Sequence, residues 1–428
     1  MKSHLLQRGF VSLLVTQFLG AANDNILKQI LIFMVTKGLW QNALGDGGQG
    51  YIALCMTIPF ILLSGYAGRF ADRRSKTQVA LFVKIAEIPI AVTALVGLWV
   101  GNLWLTLVAF IALAVQSAFF GPAKYGMIPE LVTEGELSRA NGAINMLTNI
   151  AIIVGTLIAG PVCDAYFPQA SQRSHDPLLW LPGVTLVLVA LLGLGAALFL
   201  PRLEAKDPTT PYEWNPFGVY VDALKSMARG PLIWIALAWG YFYMIGMISI
   251  LILPEYSVVL QIDFTKTSYL LGILAIAIGG GSAFAGLISG HRIEPRLTPI
   301  GAVGLTLFLV LLGVVPPSYW NVAAFVAGAG FFAGLYLVPL QALLQDLSPE
   351  KERGRFLGTA NALSFLFSSI GAVVCWMALG PAGLPAPRGF LVAGVLSLLG
   401  TGVLLWRLRR FIAHAQGGDA ERPAGDPG

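Results

Sequence analysis

Five ionisable side chains are interior candidates in the apolar stretches of the first half of this chain: Asp24, Lys28, Lys84, Glu87 and Lys124. Asp24 is flanked by Asn23 and Asn25, and Lys28 follows one helical turn later, so Asp24 and Lys28 share a helix face. Lys84 and Glu87 are spaced i,i+3. Gln116, Phe120 and Lys124 form one i,i+4 stripe, Tyr125 adjoins it, and Asn141, Asn145 and Asn149 form another. Lysines suit phosphate oxygens and carboxylates suit an amine, so a zwitterionic or anionic phosphate head group would fit this set. The structural alternative for Asp24 is an ion pair with Lys28. Nothing in the chain suggests catalysis. His4, His175, His291 and His414 fall near loops or ends, and no serine or cysteine has the surroundings of a nucleophile. No glycine-rich loop with a following lysine reads as a phosphate loop, which argues against ATP-driven work. Cys55, Cys163 and Cys375 are odd in number and far apart, so neither a disulfide framework nor a metal site is expected, and no cofactor is implied.

The elements that carry these residues must be membrane helices. The chain is 56% hydrophobic and 11% charged, with a mean hydropathy of +0.74. Soluble domains carry about 25% charged residues, so the composition is that of an all-α polytopic membrane protein. Windows of about twenty apolar residues recur twelve times. The expected spans are 10–38, 49–71, 78–99, 103–127, 137–160, 179–200, 229–258, 267–290, 298–315, 319–346, 355–378 and 389–410. The first is too long for a cleaved signal peptide and is expected to stay as an anchor. Asp24 lies roughly 21 Å from either end of it, near mid-bilayer. A carboxylate there costs about 2.5–3.5 kcal/mol on insertion scales, so it should face protein or a water-filled cavity.

Basic residues set the expected orientation. With the N-terminus in the cytoplasm, 21 Lys and Arg fall in cytoplasmic segments and four (Lys37, Arg173, Lys266, Arg388) outside, which places both termini in the cytoplasm. The basic excess therefore reads as membrane topology and not as nucleic-acid binding. Residues 201–228, rich in Pro, Lys, Asp and Glu, form a cytoplasmic linker between a bundle over 1–200 and another over 229–410; the tail 411–428 is expected to be disordered. The halves echo each other: Gly68 with Gly286, Pro122 with Pro339 and Asn141 with Asn361, at offsets of 218, 217 and 220. Parallel six-helix repeats of this kind place a substrate between the halves.

Three motifs carry a resemblance. The loop after the second span reads Gly68-Arg69-Phe70-Ala71-Asp72-Arg73-Arg74-Ser75-Lys76, similar to the signature loop of the major facilitator superfamily with Ser75 where a second glycine is usual. The glycine would permit close helix contact, and Asp72 could accept from a helix N-terminus. The alternative is a plain positive-inside anchor. The resemblance implies a gating role for Gly68, Asp72 and Arg73. Phe18-Leu19-Gly20-Ala21-Ala22-Asn23-Asp24-Asn25, the run Phe119 to Leu131 with Ala140-Asn141-Gly142, and Val338 to Gln345 with Ala360-Asn361-Ala362 resemble the bacterial lysophospholipid transporter family within that superfamily.

That resemblance implies a major facilitator fold and a flippase moving lysophospholipids across the bacterial inner membrane toward the cytoplasmic leaflet for reacylation, by alternating access. The site residues would be Asn23, Asp24, Asn25, Lys28, Lys84, Glu87, Lys124, Tyr125, Asn141 and Asn145. The C-terminal half offers mostly aliphatic, aromatic and small residues: Tyr241, Phe242, Tyr243 and the run Gly279-Gly280-Gly281. It would shelter the acyl chain. Gly286 and Gly290 read as close helix packing, and Gln341 and Gln345 as either substrate contacts or interhelical hydrogen-bond glue. Some members of that family carry fused acyltransferase and acyl-ligase domains; this sequence ends soon after its last span, so neither is expected. A monomeric transporter in contact with membrane lipids is expected. A separate acyltransferase and acyl-ACP synthetase would act at the cytoplasmic face. The competing expectation is a proton-coupled exporter of amphipathic drugs, with Asp24 or Glu87 as the proton carrier.

Overall fold

The computed structural model describes residues 7–39, 41–133, 136–167, 176–204, 218–289, 293–349 and 353–418. Twelve apolar helices dominate them. The first six are α1 (Arg8–Thr36), α2 (Gln49–Arg73), α3 (Lys76–Trp99), α4 (Leu103–Leu131), α5 (Leu137–Tyr166) and α6 (Leu181–Ala197). The second six are α7 (Leu232–Ile252), α8 (Phe264–Ser289), α9 (Leu297–Val314), α10 (Tyr319–Asp346), α11 (Arg353–Leu379) and α12 (Ala386–Gly418). Among the described residues, ten helices are long and apolar enough to cross a membrane, and shorter apolar stretches in α2 and α6 accompany them.

Local chemistry explains several boundaries. Ser75, Asn102 and Ser318 cap α3, α4 and α10, each accepting a backbone N–H three residues on. The seventh span was expected to run unbroken from 229 to 258. Instead α7 stops at Ile252 and continues as a 3-10 turn, Leu253–Glu255, and a short helix, Tyr256–Val259. Pro254, which has no N–H to donate, lies in that turn. Within the expected linker, Gly218–Met227 is helical, and Ala223 and Met227, one turn apart, bury one face of it against α7 and α11. The remainder of the linker, 205–217, lies outside the described residues. Helix α12 runs on to Gly418, past the expected end at 410, through a segment with the helix formers Ala413, Ala415 and Gln416. Residues 419–428 lie outside the described set.

Packing within each half repeats. In the first half α1 packs on α5, α3 on α4, α2 on α4 and α3 on α6; in the second, α7 packs on α11, α9 on α10, α8 on α10 and α9 on α12. Adding six to each helix number converts one set into the other. The main helix contacts between the halves are α2 with α11 and α5 with α8, which the same relation exchanges.

Those two pairs meet at one end only. At the end carrying Lys37, expected to be outer, a Cβ on Gly50 of α2 would lie 2.6 Å from the Ala372 carbonyl and 2.9 Å from Cβ of Trp376 on α11. A Cβ on Gly160 of α5 would lie 2.8 Å from the Phe264 carbonyl on α8. Further in, Thr57 and Ser369 hydroxyls hydrogen-bond at 2.8 Å, and Phe60 stacks on Phe365 at 5.1 Å. At the end carrying Arg73, Gly68, Gly142, Gly286 and Gly358 of the same four helices meet nothing within 4 Å. The halves are therefore closed at the Lys37 end and splayed at the Arg73 end. Gly286, read from sequence as a packing glycine, faces open space in this state; its partner Gly290 lies outside the described residues.

Candidate functional site

The first half concentrates its buried polarity around Glu87. Lys84 donates to Oε2 of Glu87 at 2.6 Å, and Asn23 donates to Oε1 at 2.7 Å. Gln116 adds a longer bond of 3.4 Å to Oε2 and another to the Val83 carbonyl. Both charged side chains of the pair are only 1% exposed. The Lys84 ammonium also lies over the Phe120 ring at 5.6 Å. Gly20 makes room for it, since a Cβ there would sit 2.5 Å from Lys84 Nζ. The sequence placed Lys84 and Glu87 among residues that touch a ligand; in this state they are buried and satisfy each other, as buried opposite charges must in a low-dielectric interior.

Asp24 has a different environment. It is half-buried and accepts one hydrogen bond, from Ser117 Oγ at 2.7 Å. Ser117 also lies 3.0 Å from Gln116 Oε1, so a chain of polar groups joins Asp24 to the Glu87 cluster. The ion pair expected between Asp24 and Lys28 is absent: Lys28 donates to Asn25 Oδ1, three residues back, at 2.6 Å. Asn25 in turn donates to the Ala21 carbonyl, which aims its oxygen toward the lysine. Lys124 is also half-buried. Its ammonium lies 4.8 Å from the Tyr125 ring and has no carboxylate within ion-pair distance among the described residues. Asp24 is within electrostatic reach of Lys28, Lys84, Lys124 and Glu87. With Lys84 neutralised by Glu87, the groups left to meet a ligand are one carboxylate and two ammonium groups.

The stripe on α5 is exposed. Asn145 accepts from the exposed Tyr125 hydroxyl at 3.1 Å, whereas Asn141 donates to the Leu137 carbonyl of its own helix. Gln341 and Gln345 of α10 are exposed, and neither makes a side-chain hydrogen bond among the described residues, so the interhelical-glue reading does not hold in this state. Of the gating trio, Gly68 faces open space, Arg73 ends α2, and the side chain of Asp72 lies outside the described set. Sequence reasoning missed Ser117, the Gln17–Thr148 bond between α1 and α5, and the ion pair of the buried Lys76 with the exposed Glu130. A lone serine in an apolar helix carries no signal by itself. The pair joining α3 to α4 shows none either, because its members are 54 residues apart.

The second half supplies an apolar counterpart. A partly open space between α7, α8, α9, α10 and α12 is lined by Phe242, Ile245, Gly246, Leu274, Ile278, Leu305, Ala329 and Phe390 among others, with Ser249 as its one hydroxyl. Along α7 it runs from Phe242 to the start of the following turn at Leu253, roughly 16 Å by helix rise. Tyr336 stacks on Phe242 at 5.2 Å and donates to the Ala238 carbonyl, and Tyr241 donates to the Leu396 carbonyl, so both hydroxyls are satisfied.

Comparison with known proteins agrees with this architecture. A family profile described as Major Facilitator Superfamily matches residues 13–372. The lysophospholipid transporter LplT of Photorhabdus laumondii is 29% identical over 358 residues, covering 80% of this chain and 81% of its own length. The protein of the same name from Cronobacter sakazakii is 29% identical over 374 residues, covering 84% of each chain. Among solved structures, a bacterial homolog of the human lysosomal transporter Spinster, in an inward-facing and occupied conformation, superposes with a TM-score of 0.72 at 13% identity. The match covers 95% of this chain and 98% of that one, and shows a shared fold.

Proposed function

Because the chain belongs to the Major Facilitator Superfamily, we propose that it is a lysophospholipid transporter that works by alternating access. The observation that carries this reading is the division of labour between the halves. Asp24, Lys28 and Lys124 are half-buried in the first half, none in an ion pair among the described residues, and a partly open apolar space lies in the second. A single-chain amphiphile with a charged head needs both. The lysines would take phosphate oxygens and Asp24 an amine where the head group has one, while Asn25 orients Lys28 and Ser117 orients Asp24. Lys84 and Glu87 act as positioning residues behind them. Gln341 and Gln345, free in this state, are placed to meet the head group from the second half once the halves close at the Arg73 end. Names of relatives that include lysophospholipid transport support the substrate class.

The same reading places the protein in a bacterial inner membrane, with both termini in the cytoplasm and the Arg73 end facing inward. Transported lysolipid would be reacylated by a separate acyltransferase and acyl-ACP synthetase, and the transporter would act as a monomer without a cofactor. The test is movement of labelled lysophospholipid into proteoliposomes, with and without imposed ion gradients, for the parent, Asp24→Asn and Lys124→Gln. Loss of transport in both variants is expected. Intact transport in both would refute the site, and efflux of amphipathic drugs driven by a pH gradient without lysolipid movement would refute the substrate class.

A further inference from the structure

The end of the seam carrying Lys37 holds a carboxylate that the transport site does not use. Asp164, near the C-terminal end of α5, accepts from the backbone N–H groups of Phe264 and Thr265 at 2.9 Å each and from the Thr265 hydroxyl at 2.5 Å. Phe264 and Thr265 open α8, in the other half. A helix start leaves its first N–H groups without partners inside the helix and carries partial positive charge, so a carboxylate bound there makes charge-assisted hydrogen bonds. The same helix start has its own cap: Asp263 accepts from the Lys266 N–H at 2.6 Å. Asp164 is therefore not needed to end the helix. It caps across the seam.

The residues around it converge on one contact. Phe264 is fully buried, stacks on Phe33 of α1 at 5.3 Å and lies under the Lys37 ammonium at 5.8 Å. Lys37 donates across the seam to the carbonyls of Ser257 and Ile262 at 3.0 and 3.2 Å. The other helix pair, α2 with α11, closes differently, by the glycine contacts of Gly47 and Gly50 against Trp376.

We propose that Asp164 is a gating residue of the transport cycle, a latch that holds the Lys37 end shut by capping α8 of the opposite half. Opening that end pulls α5 from α8 and leaves the Phe264 and Thr265 N–H groups to water, so the latch stabilises the closed state without touching substrate. At the opposite end, Asp72 is expected to do the equivalent in the opposite state.

The latch rests on alternating access but not on substrate identity, and its test uses a readout independent of substrate. Thr57, 4% exposed and bonded to Ser369 across the seam, becomes the sole cysteine (Thr57→Cys with Cys55→Ser, Cys163→Ala, Cys375→Ala). Intact cells are treated with a membrane-impermeant maleimide. The parent labels slowly. Asp164→Ala raises the labelling rate about ten-fold or more, because the rate follows the minor open population. Thr265→Val, which removes one donor, raises it less and carries the test if Asp164→Ala does not accumulate as folded protein. Asp263→Ala, which removes the cap within α8's own half, leaves it within two-fold. Rapid labelling of the parent, an unchanged rate in Asp164→Ala (or in Thr265→Val where that variant stands alone), or an equal rise in Asp263→Ala overturns the latch. A raised rate in a protein that moves no lysophospholipid keeps the latch and rejects the proposed substrate.

Discussion

Replacing Glu87 separates a ligand role from a structural one. Its carboxylate accepts from Lys84 at 2.6 Å, Asn23 at 2.7 Å and Gln116 at 3.4 Å, and the Lys84 side chain is 1% exposed. Glu87→Met leaves an ammonium group and two amides buried without that acceptor. Removing one partner of a buried ion pair costs about 3–5 kcal/mol, dominated by the uncompensated charge. Side-chain hydrogen bonds between membrane helices contribute only about 0.6 kcal/mol each on average, so losing Asn23 and Gln116 adds little. Lys84→Met strands the opposite charge and should cost a similar amount. The double variant Lys84→Met/Glu87→Met removes both charges and should fall within about 1 kcal/mol of the parent, because apolar replacement of a whole buried pair is close to neutral. Two singles of about 3 kcal/mol or more against a double within about 1 kcal/mol give that double-mutant cycle a coupling energy of about 5 kcal/mol or more, well above experimental scatter. Reversible unfolding in mixed micelles measures the stabilities, and lysolipid flipping in proteoliposomes measures function for the same four proteins. If Lys84 and Glu87 matter to transport only through neutralising each other, the double variant regains most of the transport that either single variant loses. A double variant as unstable as the singles, or stable yet inert in transport, refutes the reasoning and returns Lys84 and Glu87 to the head group.

Two further outcomes follow from single contacts. Ser117→Ala removes the one hydrogen bond Asp24 accepts among the described residues; a bond to a charged group is worth about 1.5–3 kcal/mol, so half-saturation for lysolipid should rise ten-fold or more while the unfolding midpoint moves little. Gly50→Val forces a Cβ to within 2.6 Å of the Ala372 carbonyl, a backbone atom that cannot swing aside; the closed state at the Lys37 end should lose population, read as faster labelling of the Thr57→Cys reporter, and unchanged labelling would contradict the seam as described.

What the sequence could and could not announce follows from how far apart in the chain the interacting groups lie. Twelve helices, two repeats and their main boundaries follow from hydropathy and caps, which are local, and α1 falls within two residues of its expected ends. The break at Pro254 was equally local, yet continuous hydropathy on both sides hid it. Intramembrane charge singled out Asp24, Lys28, Lys84, Glu87 and Lys124, but helical spacing misassigned the partner of Lys28. Asp24 and Lys28 share a face at i,i+4, and Lys28 instead bonds Asn25 at i,i+3, because Ser117 of α4 occupies Asp24 from 93 residues away. Spacing along one helix lists which partners are possible, and the neighbouring helix decides among them. The same logic applies at the seam. Asp164 reads in sequence as a polar residue near a helix end, and only the packing of α5 on α8, 100 residues apart, turns it into the cap of another helix. A residue whose role depends on the relative position of two six-helix halves has no local signature. Such residues are also the ones whose partners must change during transport, so the features least legible in the sequence are those through which the halves move.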